Sequence, residues 1–305
     1  MKALTKAAFL SLLALLTGLA ALRGANAYQT GPDGDPIAGG RIYDNWMLAL
    51  DAPPPAGDHP LWRTQESNMR AGVATWRCAE CHGWDYKGAT GAYAPGSIHY
   101  TGFRGLRNSI GATKEEVAAW LDGANNQRHD FLQYMNPTAV DDLAAFLRTM
   151  QIDLDLIIDP DSGQALGDER VGRNLYLDAC SSCHGGDGRE INFSSNGRPT
   201  FVGDFASADP WRTVHVIRFG TVTSRMPGTE ESGWSISRVS DLLAFAQTLP
   251  RGNPGFNIFN ESNLSSPDLD RQGEIEPILW GAFAILGIIL LTLAADALIQ
   301  RRLPS

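Results

Sequence analysis

The sequence predicts an all-α protein, two small helical domains in tandem followed by one C-terminal transmembrane helix. Three observations carry that expectation. The chain has 305 residues, room for about two domains at ~150 residues each. A Cys-x-x-Cys-His motif occurs twice, at Cys78–His82 and at Cys180–His184, each setting two thiols on one helical turn. Nineteen residues from Pro277 to Ala295 carry no charge, and about twenty such residues cross a bilayer as a helix.

Composition narrows the class. The hydrophobic fraction is 43% and the charged fraction 19%, which fits a globular chain and excludes a mostly disordered one. Lys and Arg number 25 against 34 Asp and Glu, a net charge of −9. Removing the first 27 residues, which hold Lys2, Lys6 and Arg23 and no acid, leaves 22 basic against 34 acidic residues, net −12. Such a surface repels phosphate backbones, so no nucleic acid is expected as partner. A basic protein fits better.

Both ends read as addresses. Lys2 and Lys6 precede an uncharged apolar run, Ala7 to Leu22, and Ala25-Asn26-Ala27 offers the small residues of a cleavage site, so residues 1–27 read as a secretory signal peptide. At the other end, residues 275–299 read as the transmembrane helix; Asp268, Asp270, Glu274 and Glu276 lie before its uncharged stretch Pro277–Ala295, and Arg301 and Arg302 lie after it. The positive-inside preference then puts the tail, 300–305, in the cytoplasm and the body of the chain in the periplasm, on a bacterial inner membrane. Residues 251–274, rich in Asn, Ser, Pro and Gly, read as a linker.

The two motifs carry the chemistry. Cys78-Ala79-Glu80-Cys81-His82 and Cys180-Ser181-Ser182-Cys183-His184 use all four cysteines, and Cys-x-x-Cys-His is the attachment signature of c-type haem. Two thiols three positions apart can bond both vinyl groups of one macrocycle, and the adjacent histidine then points at the iron. A zinc site would use both cysteine pairs but leave the two matching histidines unexplained. A redox dithiol would not be expected twice, each time followed by His-Gly. The expected cofactors are two covalently bound haem c groups.

With these motifs the sequence resembles the class I cytochrome c family, in tandem, over roughly residues 35–250. Gly172-Arg173-Asn174-Leu175-Tyr176 leads into Cys180, Gly185-Gly186-Asp187-Gly188 follows His184, Trp211 to Phe219 reads as a middle helix, Met226-Pro227 as a ligand loop and Ser237 to Leu249 as a closing helix. The resemblance implies two cytochrome c domains, 28–155 and 156–250, with His82 and His184 as proximal iron ligands and Met226 as the sixth ligand of the second haem.

The first copy departs twice. Gly39-Gly40-Arg41-Ile42-Tyr43 resembles Gly172 to Tyr176, but Tyr43 lies 35 residues before Cys78 whereas Tyr176 lies four before Cys180. An insertion over about 44–74 results, and Asp51-Ala52-Pro53-Pro54-Pro55 marks it as a surface excursion. It would cover a haem edge, meet a partner, or only decorate a loop. The second departure is the sixth ligand. Family habit suggests Met135, but with the middle helices aligned at Gly123 and Gly220, His129 lies six residues after Gly123 as Met226 does after Gly220, and Met135 lies twelve. Register favours His129, with Met135 as the alternative and His99 and His59 as further candidates. Axial Met raises a haem potential and a second His lowers it, so a bis-His first haem would pass electrons to the second.

The remaining features read as structure. Thr113-Lys114-Glu115-Glu116 has the form of a capping box, and Trp120, Leu143, Phe146 and Leu147 are spaced as a core face. Trp76, Trp84 and Tyr86 bracket the first motif and are expected to pack on the porphyrin.

The resemblance implies an electron carrier between redox partner proteins, membrane-bound or periplasmic. The donor would be a dehydrogenase or quinol-oxidising complex and the acceptor a terminal oxidase or soluble cytochrome, with no catalytic residue. The alternative is a dihaem enzyme, peroxidase-like or oxidising a sulfur compound, with one labile distal ligand.

Overall fold

A computed structural model describes residues 33–194, 198–222 and 224–252. Over these residues the protein is all-α, with nine helices, short 3-10 turns and isolated bridges only. The sequence expectation of an added transmembrane helix is corrected: among the described residues no helix is long and apolar enough to cross a membrane. The expected signal peptide (1–27), the transmembrane segment (275–299), the tail and nearly all of the linker (251–274) lie outside the described residues.

The chain divides into two compact units, one holding residues up to Ser162 together with Trp211–Val239, the other Gly163–Pro210 together with residues from Ser240 on.

In the first unit, helix α1 (Pro36–Ala49) opens with Asp35 as its cap, the carboxylate accepting the N–H groups of Ile37 and Ala38, and with proline at the first helical position. Helix α2 (Cys78–His82) is the first motif, and α3 (Lys114–Leu121) starts at Thr113 with the expected reciprocal box to Glu116. Helix α4 (Pro137–Thr149) starts at Asn136 and Pro137, and buries Leu143, Phe146 and Leu147. Helix α1 crosses α4 at Gly39, where a Cβ would lie 2.0 Å from the Asp142 carbonyl oxygen. Only glycine permits that approach. The Asp142 carboxylate also takes the Asp35 N–H at 2.7 Å, tying cap to closing helix.

The second unit repeats the device. Asp168 caps α5 (Glu169–Ala179), its N–H reaches the Asp241 carboxylate at 2.7 Å, and a Cβ on Gly172 would lie 1.8 Å from the Asp241 carbonyl. Helices α6 (Ser181–His184) and α7 (Val202–Ala208) follow in this unit; α8 (Pro210–Phe219) belongs to the first unit from Trp211 on, and the closing α9 (Ile236–Ala246) is divided between the two units at Ser240. The sequence reading contained no counterpart of α7.

The inserted segment before Cys78 is an ordered strap. Trp62 Nε1 donates to the Arg70 carbonyl (2.8 Å), Trp76 Nε1 to the Gly57 carbonyl (2.9 Å), and the Gly72 N–H to Asp58 Oδ1 (2.6 Å). Arg70 makes a buried ion pair with Glu80, between the two cysteines of the first motif. Trp120, expected on the core face, is instead 44% exposed, with the Arg104 guanidinium 4.4 Å above its ring.

Candidate functional site

The two motifs adopt the same local geometry. Each is a single helical turn ended by glycine at positive φ, Gly83 (φ 75°, ψ 156°) and Gly185 (φ 75°, ψ 162°), a conformation that other residues resist. A tyrosine from the preceding helix fixes each glycine. Tyr43 Oη donates to the Gly83 carbonyl at 2.6 Å and Tyr176 Oη to the Gly185 carbonyl at 2.9 Å. The aligned Gly-to-Tyr segments of the sequence are thus the clamps on the two motifs.

No disulfide joins the four cysteines; Cys78, Cys81 and Cys180 are half-buried and Cys183 is exposed. Burial pushes Cys78 and Cys81 up to about 12 and Cys180 up to about 11, so these thiols are held neutral. Among the described residues no three His, Cys, Asp or Glu side chains gather into a metal-holding group.

Beside α2 opens an apolar pocket lined among others by Cys78, Cys81, His82, His129, His59 and Phe131. His82 and His129 stand with ring centroids 6.2 Å apart and planes at 80°. His82 Nδ1 bonds the Arg104 carbonyl at 2.8 Å and His129 Nδ1 the Trp120 carbonyl at 2.7 Å. A carbonyl only accepts, so each Nδ1 carries the proton and each Nε2 keeps its lone pair. Burial, and then the other imidazole, holds His82 down at about 4, and burial lowers His129, so both rings are neutral. These two rings, each with an unprotonated Nε2, would be the residues that hold the iron of a haem in this pocket. Two free lone pairs, two thiols and an apolar wall fit a covalent haem with both axial positions filled.

The other sixth-ligand candidates are placed differently. Met135 is buried in the core with its N–H on the Phe131 carbonyl, and it does not line the cavity. His99 is buried against Tyr93, rings stacked at 4.4 Å, also away from the cavity. His59 does line it, but its Nδ1 accepts the Leu61 N–H at 3.2 Å, which puts the ring proton on Nε2 and leaves no lone pair there. Trp76 lines the cavity as expected; Trp84 and Tyr86 pack instead on His215, whose Nδ1 accepts from Tyr86 Oη at 3.1 Å. The carbonyls of Arg104 and Trp120 carry no side-chain signature, and no reading of residue types finds them. His59 reaches the cavity through the strap.

At the second motif, His184 sits 6.0 Å from the Phe193 ring, and its buried Nδ1 has no hydrogen-bond partner among the described residues. Met226 follows α8 on a loop closed by Gly220 (φ 76°), where a Cβ would lie 2.5 Å from the Met226 carbonyl. Met226 falls in the first unit, and Cys180, Cys183 and His184 in the second.

Two family models match the chain. The one described as cytochrome c matches residues 70–151, and the one described as cytochrome c oxidase, cbb3-type, subunit III matches residues 167–245. The first begins at the end of the strap, so most of the inserted segment lies outside it. No curated protein and no solved structure gives a significant match. The matches together cover a little over half of the chain, one around each motif, and two cytochrome c domains imply haem c as the cofactor. The chain therefore belongs to the cytochrome c family, as a haem c electron-transfer protein with two such domains in tandem.

Proposed function

We propose that the protein is a two-haem relay that takes single electrons from one redox partner protein and passes them to another, entering at the first haem and leaving from the second. The observation that carries this reading is the His82–His129 pair, 6.2 Å apart with both Nδ1 atoms tied to carbonyls. Haem supplies a reversible one-electron change at iron. His82 and His129 would hold the haem iron from both sides and leave no position for a substrate, which favours a carrier over an enzyme.

The direction follows from the ligand environments. A histidine whose Nδ1–H is hydrogen-bonded is a more basic ligand, and two such ligands favour ferric iron at the first haem. At the second, His184 has no acceptor for its Nδ1 among the described residues, and Met226 is the sequence-based candidate for its sixth ligand. Both features favour ferrous iron there. Electrons then fall from the first haem to the second. The partners are redox proteins of the periplasm or its membrane, and the charge of −9 suits a partner with a basic docking face. The periplasmic setting rests on the leader-like first 27 residues and on the thioether chemistry of the motifs.

Carbon monoxide tests the reading. The dithionite-reduced, haem-loaded protein should give no carbon monoxide adduct at the first haem. An adduct formed by one haem per chain would replace the relay with a dihaem enzyme whose distal ligand dissociates.

A further inference from the structure

The cavity holds a third imidazole that axial ligation leaves unused. His59 comes from the part of the strap that lies before the cytochrome c match. Its ring stacks on Phe131 (centroids 5.6 Å, 25°), meets Trp76 edge-on (4.6 Å) and stands 5.9 Å from His129. The residue is only 5% exposed. Its position is fixed from two sides, since its own N–H donates to Thr75 Oγ1 at 2.9 Å and its Nδ1 accepts from Leu61. The tautomer is therefore set by a backbone donor, and Nε2 bears a hydrogen.

That N–H has no protein acceptor among the described residues. The other polar side chains on this part of the wall are committed. Tyr43 donates to the Gly83 carbonyl, Thr75 to the Gly72 carbonyl and Trp76 to the Gly57 carbonyl. Arg77 is held by Asp44, both through the backbone carbonyl and through a buried ion pair. His59 lines the cavity, so the pocket's occupant is the place to look for an acceptor for this N–H. On a c-type haem the vinyl groups are consumed by the cysteines and the pyrrole nitrogens by iron. The two carboxylates are the strong acceptors that remain.

We propose that His59 is a haem-anchoring residue of the strap, donating its Nε2–H to a carboxylate of the first haem. The proposal rests on the haem reading of the cavity. A donor there offsets part of the carboxylate's negative charge, which otherwise favours ferric iron. His59 thus acts as a positioning residue for the haem and moderates the low potential that two imidazole ligands impose.

The test uses the full, haem-loaded chain and two substitutions. His59→Phe keeps the packing on Phe131 and Trp76 but removes the N–H, and His59→Gln restores an N–H of similar reach. The expected result is a lower midpoint potential at the first haem in His59→Phe, an unchanged second haem, and recovery in His59→Gln. The near-infrared charge-transfer band of a bis-imidazole haem should persist in both variants. An unmoved first-haem potential in His59→Phe overturns the proposal. Loss of the bis-imidazole band in the variants, with the band present in wild type, also overturns it by placing His59 on the iron. Absence of that band from the wild type overturns the bis-His reading itself, a separately visible failure. Should His59→Phe fail to take up haem, the wild-type protein decides by resonance Raman. A carboxylate-bending band that shifts between H2O and D2O in wild type and in His59→Gln supports the bond; a band that D2O leaves unmoved in wild type overturns it.

Discussion

An imidazole and a thioether on iron differ in how strongly they favour the ferric state, so the place of His129 can be read by exchange. His129→Met should raise the first-haem potential and add one haem's worth of the far-red methionine-to-iron band. Met135→Leu, a volume-conserving change in the core, should cost less than about 1.5 kcal/mol and leave both haem spectra alone. A loss of axial ligation in Met135→Leu, seen as a high-spin haem, would assign the iron to Met135 instead. His215 offers a different handle. It is buried, with Nε2 donating to the Gly40 carbonyl at 2.9 Å and Nδ1 accepting from Tyr86. Burial holds it down at about 4, only partly opposed by Asp44. The unfolded chain binds this proton near pH 6.5 and the folded chain does not, so the contribution is full above pH 6.5 and declines as pH falls towards 4. Through this residue the protein should lose about 2 kcal/mol between pH 7.5 and pH 5. Urea unfolding of wild type and His215→Gln at both pH values checks this, and equal pH slopes in the two proteins would refute it.

Among the elements, the glycine crossings hold the most leverage. At Gly172 an added methyl would sit 1.8 Å from the Asp241 carbonyl, and this is rigid backbone that cannot rotate away. Gly172→Ala should therefore destabilise the second unit by about 1–3 kcal/mol, the usual cost of overpacking, whereas Gly186→Ala, which meets nothing within 4 Å, should stay near wild type. Thermal unfolding of the two variants side by side is the check; equal melting temperatures would mean the crossing relaxes freely. This level was largely legible in the sequence, for local reasons. Pro137 after Asn136, Thr113 with Glu116, and the Gly-to-Tyr segments encode their structure within a turn or two of chain. Helix α7 was not legible because its start has no polar cap; Phe201 stands there, and the Asp204 carboxylate reaches back to its N–H at 2.8 Å. Trp120 was misplaced because helical spacing marks a face without saying what covers it. Arg104 covers this ring from the solvent side.

For the whole molecule, sequence motifs announced what is bound, and long-range folding decided what surrounds it. Cys78, Cys81 and His82 stand together on one helical turn, and their spacing in the sequence already places them there. That His129 shares a cavity wall with them was suggested only by comparing the two halves of the chain. That His59 lines the same wall was not legible, because an insertion carries no spacing rule that says where its residues return. Charge is a property of the chain as a whole, legible from composition alone and testable at that scale. A net charge of −9 would attract a basic redox partner of the kind proposed over distances comparable to the Debye length, about 10 Å at 0.1 M salt. Electron transfer from the reduced protein to a small basic c-type cytochrome should then slow steeply as ionic strength rises from about 0.01 to 0.5 M, since steered association depends on unscreened charge. Transfer to an acidic acceptor of similar size should quicken over the same range, because salt then screens repulsion. Stopped-flow traces of both reactions give the two slopes. Opposite signs support docking governed by the acidic surface. Two flat responses would mean that the partner is held by apolar contacts, and the basic-partner reading would fall.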